Sequence, residues 1–260
     1  MRLATWNINS VRARLPIVDQ LITTQAPDVL CLQETKVQDQ LFPRDFFRER
    51  GYVHMAIRGQ KGHHGVATLS RVPFEGSGHI DWCGKGDARH VSIRLSGGAA
   101  VHNFYVPAGG DEPDPAVNEK FAHKLSFLDE MIAWSKDLKD PSIMVGDLNV
   151  APAPEDVWSH KQLLKVVSHT PVETDAMGRL QAAHGWVDAV RTHHPLPEKL
   201  YSWWSYRARD WSASDRGRRL DHVWISPALD GKTTGLTILR DARGWEKPSD
   251  HVPILVDLDM

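Results

Sequence analysis

An α/β sandwich, with sheets inside and helices outside, is the fold this sequence predicts. Three observations carry that expectation. Short apolar runs such as Val29-Leu30-Cys31-Leu32 recur along the chain, separated by turns containing Gly and Pro. Between them lie longer segments whose apolar residues return at helical spacing. No internal repeat, low-complexity tract or Gly/Ser linker interrupts the 260 residues, so residues 1–260 are expected to form one domain with a sizeable core.

Arg2 to Ile8 reads as a strand. Val11 to Gln25 reads as a helix, with Leu15, Val18, Leu21 and Ile22 at helical spacing and Pro27 just beyond its end. Asp28 to Gln33 is apolar enough to be a buried strand, and Gly65 to Ser70 and Ala100 to Val106 read the same way. Asn118 to Lys136 is a second helix, with Phe121, Leu125, Leu128 and Ile132 on one face. Ser142 to Gly146 is another apolar strand. Thr174 to His184 reads as a helix, with Thr174 as its N-cap and Gly185 as its stop. Arg219 to Ile225 and Val252 to Leu258 close the chain as strands.

Composition narrows the function classes. With 41% hydrophobic and 25% charged residues, global disorder is excluded. No apolar run is long enough to span a bilayer, and Met1 to Asn7 lacks the apolar stretch of a secretory signal. Cys31 and Cys83 allow at most one disulfide and no cysteine-rich zinc site. A reducing, cytoplasmic setting is the default expectation. A net charge of −2 does not announce a nucleic-acid binder, but binding depends on a local patch. Lys199 to Arg219 is such a patch: it carries an excess of +4 and holds Trp203, Trp204 and Trp211.

Polar residues gather at the strand ends. The first strand ends at Asn7 and the second in Gln33-Glu34-Thr35-Lys36. The Ala100 strand runs into Tyr105-Val106-Pro107, and the Ser142 strand into Gly146-Asp147-Leu148-Asn149. The late strand begins Arg219-Leu220-Asp221-His222, and the last follows Ser249-Asp250-His251. A lone Asp or Asn at a strand end is usually a turn former or helix cap. Joint occurrence at six strand ends is another matter, because such ends commonly share one rim. Glu34, Asp147, Asn149 and Asp250 are hard oxygen ligands suited to Mg²⁺ or Mn²⁺. Several carboxylates with one imidazole fit metal-assisted hydrolysis of a phosphate ester. His251 beside Asp221 would face a phosphoryl oxygen, Asp147 would take a proton from water, and Asn149 would position that water.

With these residues in hand, the chain resembles the exonuclease III family of apurinic/apyrimidinic endonucleases, within the endonuclease–exonuclease–phosphatase superfamily. The resemblance rests on Thr5-Trp6-Asn7-Ile8-Asn9, Leu32-Gln33-Glu34-Thr35-Lys36, Gly59-Gln60-Lys61-Gly62-His63-His64-Gly65, Tyr105-Val106-Pro107, Gly146-Asp147-Leu148-Asn149, Arg219-Leu220-Asp221-His222 and Pro248-Ser249-Asp250-His251-Val252-Pro253. It implies a deoxyribonuclease I-like, four-layered α/β sandwich of two mixed β-sheets flanked by helices. It implies that Glu34 binds a divalent metal (Mg²⁺, with Mn²⁺ substituting), with Asn7 beside it and Asp250 supporting. His251, paired with Asp221, would contact the scissile phosphate, and Tyr105 would approach it. Asp147 would activate the attacking water or protonate the leaving group, and Asn149 would orient it. Trp203 and Leu220 would wall a pocket for a sugar without its base. Lys61, His64, Arg207 and Arg218 would meet DNA.

The implied activity is cleavage of double-stranded DNA 5′ to an abasic site, together with 3′-to-5′ exonuclease and 3′-end cleaning. No membrane partner is expected, and a monomer is the simple expectation. Three departures stand out. Ala108 follows Tyr105-Val106-Pro107 where the family usually has Gln or Asn. Arg218 stands ahead of Leu220-Asp221 where relatives carry an aromatic or aliphatic residue. His64 replaces a frequent Tyr. An exonuclease-specialised member, a lipid-headgroup phosphatase of the superfamily and an inert DNA-binding module are the alternatives. The late Arg/Trp loop weighs against the phosphatase, and the full set of acidic, amide and imidazole positions weighs against the inert module.

Overall fold

The computed structural model describes residues 1–260. In chain order its strands are β1 (Arg2–Asn7), β2 (Val29–Gln33), β3 (His54–Arg58), β4 (Val66–Ser70), β5 (Phe74–Gly78), β6 (His90–Leu95), β7 (Ala100–Tyr105), β8 (Ser142–Asp147), β9 (Val187–Asp188), β10 (Trp203–Trp204), β11 (Gly217–Arg218), β12 (Asp221–Ile225), β13 (Thr233–Ile238) and β14 (Ile254–Leu258). One mixed six-stranded sheet runs β13-β14-β1-β2-β4-β3, and a second runs β5-β6-β7-β8-β12-β9. β10 and β11 form a separate two-stranded ribbon. No helix is long and apolar enough to cross a membrane.

Alternation along the strands builds four layers. Leu3, Val29 and Cys31 of the first sheet meet Ile93, Val101, Ile143 and Val223 of the second in a shared core. Their neighbours Ala4, Trp6, Leu30 and Leu32 point the other way, onto Ile17, Val18, Leu21 and Ile22 of the Leu15–Gln25 helix. On the far side, Phe104, Met144 and Trp224 pack under the Glu119–Asp137 and Pro171–His184 helices. Each fully buried Leu or Phe contributes about 1.5–3 kcal/mol relative to exposure. Both faces of each sheet are covered, which is why these strands read as continuous apolar runs.

The expected fold class matches this architecture, with local corrections. The helix predicted from Thr174 is capped by Thr170 instead. Pro171 takes its first turn, and Glu173 accepts from the Thr170 backbone N–H at 3.1 Å, a capping box. Gly185 does end it, in the left-handed region at φ 72°. In the Glu119–Asp137 helix, Leu125 is only half-buried, while Lys124, one position earlier, is fully buried. Strands β3, β5, β6 and β13 were not foreseen. Each of them lies at or beside a sheet edge, where polar residues interrupt the apolar signal.

Candidate active site

The same alternation that builds the core places the polar ends. Asn7 shares the inward face of β1 with Leu3, and Gln33 shares that of β2 with Val29 and Cys31. Tyr105 follows Val101 on β7, Asp147 follows Ile143 and Val145 on β8, and Asp221 precedes Val223 on β12. Asp147 is in register with both Tyr105 and Asp221. A layer of buried amides lies beneath: Gln33 Nε2 donates to Thr5 Oγ1 at 3.0 Å and to Asn103 Oδ1 at 2.7 Å, linking the two sheets. The chemistry-bearing side chains therefore emerge between the sheets, at one end of the sandwich.

Asn7 donates from Nδ2 to both Glu34 Oε1 (2.9 Å) and Asp147 Oδ2 (2.8 Å). It presents its amide nitrogen to the carboxylates, which makes it their orienting donor in this arrangement. Glu34 has φ 50°, a left-handed conformation costly for a residue with a Cβ. Its other oxygen pairs with Lys36 Nζ at 2.8 Å, and that ammonium also donates to Asn9 Oδ1 at 2.5 Å. Burial pushes the Glu34 carboxyl up, but Lys36 and the Asn7 hydrogen bond outweigh it and hold the pKa below the ordinary value. Gly146, at φ 131°, is required where it stands, since a Cβ there would lie 2.0 Å from the Phe104 carbonyl oxygen.

His251 Nδ1 donates to Asp221 Oδ2 at 2.8 Å, and its Nε2 lies 3.6 Å from Asp147 Oδ2. Burial lowers the imidazole pKa, but the charges of Asp221 and Asp147 dominate and raise it to about 10. Asp147 is pushed up to about 7, mainly by burial, against the opposing pull of His251. Tyr105 is raised well above its ordinary value by burial and then by Glu34. Asn149 donates its backbone N–H to Asp147 Oδ1 (3.0 Å) and its Nδ2 to the Val106 carbonyl (2.9 Å). Asp250 accepts from Asn9 Nδ2 (3.1 Å) and Trp203 Nε1 (3.0 Å). Burial raises its pKa, and His251 and these donors more than reverse that.

A cleft of about 680 Å³ opens over this group. Glu34, Tyr105, Asp147, Asn149, Asp250 and His251 line one part of it, and Trp203, Arg207, Arg218 and Leu220 another. Asn7 and Asp221 lie beneath, fully buried. Lys61 and His64 sit apart from it. Lys61 is exposed in its turn, and His64 joins a neighbouring basic hollow with Lys85, Arg89 and Lys120. There Gln60 and Arg89 hold the His64 ring, and burial and the Arg89 charge lower its pKa to about 4. Trp204 is a core aromatic, packed with Ala242 and Val252.

Two seats could hold a cation. Asp147, Asp221 and His251 bring ligand-type atoms within 4.8 Å of one another, and Asp221 Oδ1 is buried without a hydrogen-bond partner while Oδ2 holds His251 Nδ1. Glu34 is the second seat, because its carboxylate already faces a cation, the Lys36 ammonium, shared with the Asn9 oxygen.

Asn9, Lys36 and Ser202 had drawn no role from the sequence. Ser202 Oγ donates to Asp221 Oδ2 at 2.6 Å and accepts from the Leu220 and Asp221 backbone N–H groups, which fixes the carboxylate that fixes His251. Asn9 and Lys36 lie inside recognised motifs, so proximity to Asn7 and Glu34 was the available signal. For Ser202, among aromatics in a loop, no signal existed.

The model of the Endonuclease/Exonuclease/phosphatase family matches residues 4–251. The exodeoxyribonuclease III of Haemophilus influenzae is 32% identical, with 98% of each chain aligned. Among solved structures, an AP endonuclease from Archaeoglobus fulgidus shares 32% identity and superposes over the whole of both chains with a TM-score of 0.92. A Neisseria 3′ phosphatase bound to a product DNA hairpin shares 28% identity and superposes over the whole of both chains at 0.91.

Proposed function

This chain belongs to the endonuclease/exonuclease/phosphatase family, and on that premise we propose that it is a divalent-metal-dependent phosphodiesterase of DNA repair. It cuts 5′ to abasic sites and trims or cleans 3′ ends. The observation that carries this reading is the convergence of Glu34, Tyr105, Asp147, Asn149 and His251 on one cleft that continues into an aromatic and basic wall. Relatives named for exodeoxyribonuclease and AP endonuclease activity support it.

In this reading Glu34, whose carboxylate now faces Lys36, would hold Mg²⁺ or, in its place, Mn²⁺. Asp250 supports the same corner through Asn9. The bound ion would supply positive charge at a phosphoryl oxygen. His251, kept protonated by Asp221, donates from Nε2 to a non-bridging oxygen of the scissile phosphate and stabilises the charge that builds there. Tyr105 donates its phenolic proton to the same phosphate. Asp147 takes a proton from the attacking water at its carboxylate as the water oxygen bonds to phosphorus; the P–O3′ bond breaks and the departing 3′ oxygen takes a proton from solvent to leave a 3′-hydroxyl. The Asp147 pKa near 7 suits that exchange at neutral pH. Asn149 holds Asp147 through its backbone N–H and borders the water. Trp203 and Leu220 flank the sugar drawn from the helix, and Arg207, Lys61 and His64 approach flanking phosphates.

The test is a paired assay on two labelled duplexes, one with a central abasic analogue and one intact with a recessed 3′ end, each in Mg²⁺ and in EDTA. Metal-dependent incision at the analogue is the expected result. Absence of cleavage of both duplexes in Mg²⁺ would overturn the reading and direct attention to phosphoesters outside DNA.

A further inference from the structure

The wall of the cleft carries a cation that no anion in the protein satisfies. Arg218 faces the cleft from β11, paired across the ribbon with Trp203, its guanidinium carbon 5.2 Å from the centre of the Trp203 ring. One guanidinium nitrogen, Nη1, donates to the Val167 carbonyl (3.0 Å) and to Ser168 Oγ (2.8 Å). The Nε–H is buried and meets no acceptor, while Nη2 is not buried and makes no hydrogen bond within the protein, which leaves it free toward the cleft. The carboxylate whose charge reaches it, Glu173, is already bound to Lys124 at 2.5 Å. A half-buried guanidinium with a spare donor disfavours an apolar occupant and favours one that supplies acceptors.

Position decides which acceptors. Trp203 bonds Asp250 through its indole nitrogen and offers its ring to Arg218, so it stands between the reaction corner and the guanidinium. Given the proposed function, on which this inference rests, cleavage leaves the scissile phosphate on the nucleoside 3′ to the cut. In that function the phosphorus would sit at His251, and the attached nucleoside would occupy the part of the same cleft lined by Trp203, Arg218 and Leu220. An abasic sugar offers this wall little besides C–H groups. A nucleobase offers both a π face for Trp203 and carbonyl or ring-nitrogen acceptors for Arg218.

We propose that Arg218 is a specificity-determining residue that receives a base-bearing 3′-terminal nucleotide, with the base against Trp203 and its acceptors on the guanidinium. The wall is thereby biased toward removal of intact terminal nucleotides over incision at base-free sites.

The test compares kcat/KM in Mg²⁺ on a recessed normal 3′ end and on a duplex with a central abasic analogue. It uses the wild-type protein, Arg218→Leu and Arg218→Lys. The ratio of end removal to abasic incision is expected to fall about tenfold in Arg218→Leu, the scale of one charged hydrogen bond. It should fall less in Arg218→Lys, which keeps charge without the planar fork. A third substrate ends in a nucleotide whose base is an apolar isostere without acceptors. The wild-type protein should disfavour it about tenfold against the normal end, and Arg218→Leu should not distinguish the two. An unchanged ratio, or an isostere penalty equal in wild type and Arg218→Leu, would overturn the proposal. If the wild-type protein cleaves none of the three, the proposed function itself fails first.

Discussion

The two sides of the cleft are built differently. The reaction corner stands on the ends of core strands: Asn7, Tyr105, Asp147 and Asp221 sit in register on paired backbones and are buried. The wall stands on a loop and a two-residue ribbon, where Trp203 and Arg218 are only partly covered and Arg207 is exposed. Side chains on paired strands are held by many neighbours and tolerate little change in geometry. Loop residues can change chemistry without disturbing the core. The departures follow that division. Arg218 lies on the ribbon, and Ala108 lies in the loop beyond β7, whereas the expected acid, amide and imidazole residues are all present at the strand ends.

The largest expected effects fall on the corner. Glu34→Ala and His251→Ala should each lower cleavage about 10³-fold, the scale on which charge-stabilising groups act in a preorganised site. Circular dichroism should show both variants folded, and near-normal turnover in either one would dissolve the distinction between corner and wall. The support beneath is the next target. Lys124 is fully buried, pairs with Glu173 and donates to the Asn149 carbonyl at 2.7 Å. Lys124→Met strands a buried carboxylate and should cost about 3–5 kcal/mol in urea unfolding. A loss below about 1 kcal/mol would mean that Glu173 is satisfied by its backbone donors alone.

The Asp221–His251 pair has a pH signature. His251 is raised in the folded protein from 6.5 to about 10, so its protonation stabilises the fold fully below about pH 6.5 and that stability is lost as pH rises through about 10. Asp221→Asn removes the largest raising influence. The stability gap between wild type and variant should be widest at the low end of that window and narrow toward pH 10, as followed by urea midpoints. A constant gap from pH 7 to 10.5 would contradict the assignment. The smallest effect belongs to the wall. Trp203→Ala removes the ring facing the pocket and the donor to Asp250, and should weaken kcat/KM on a recessed normal 3′ end about tenfold, as base–aromatic stacking contacts do. Loss on the scale of Glu34→Ala would move Trp203 into the corner.

Much of the corner was legible because strand ends announce themselves. A short continuous apolar run ended by Asn7, Glu34 or Asp147 predicts a buried strand and the polar residue at its end. The edge strands β3, β5 and β13 and the neighbouring β6 escape for the opposite reason, since residues such as His54, Glu75 and Arg94 break the apolar run. Thr174 competes with Thr170 as a cap because it too precedes apolar residues, but Pro171 at the first helical position and Glu173 turning back to the Thr170 N–H mark the true start.

The sequence by itself determined the strand and helix periods, the layered fold class and the residue types at six strand ends, because periodicity and turn chemistry act over a few neighbouring positions. Only the tertiary structure decided which of those ends meet. Asn7 lies between Glu34 and Asp147 across sequence separations of 27 and 140 residues, and His251 reaches Asp221 across 30. Ser202 reaches Asp221 and Lys36 reaches Asn9 the same way, and the raised His251 and Asp147 arise from charges that local sequence does not bring together. Chain closure over such distances is set by sheet order and register, which no single segment encodes.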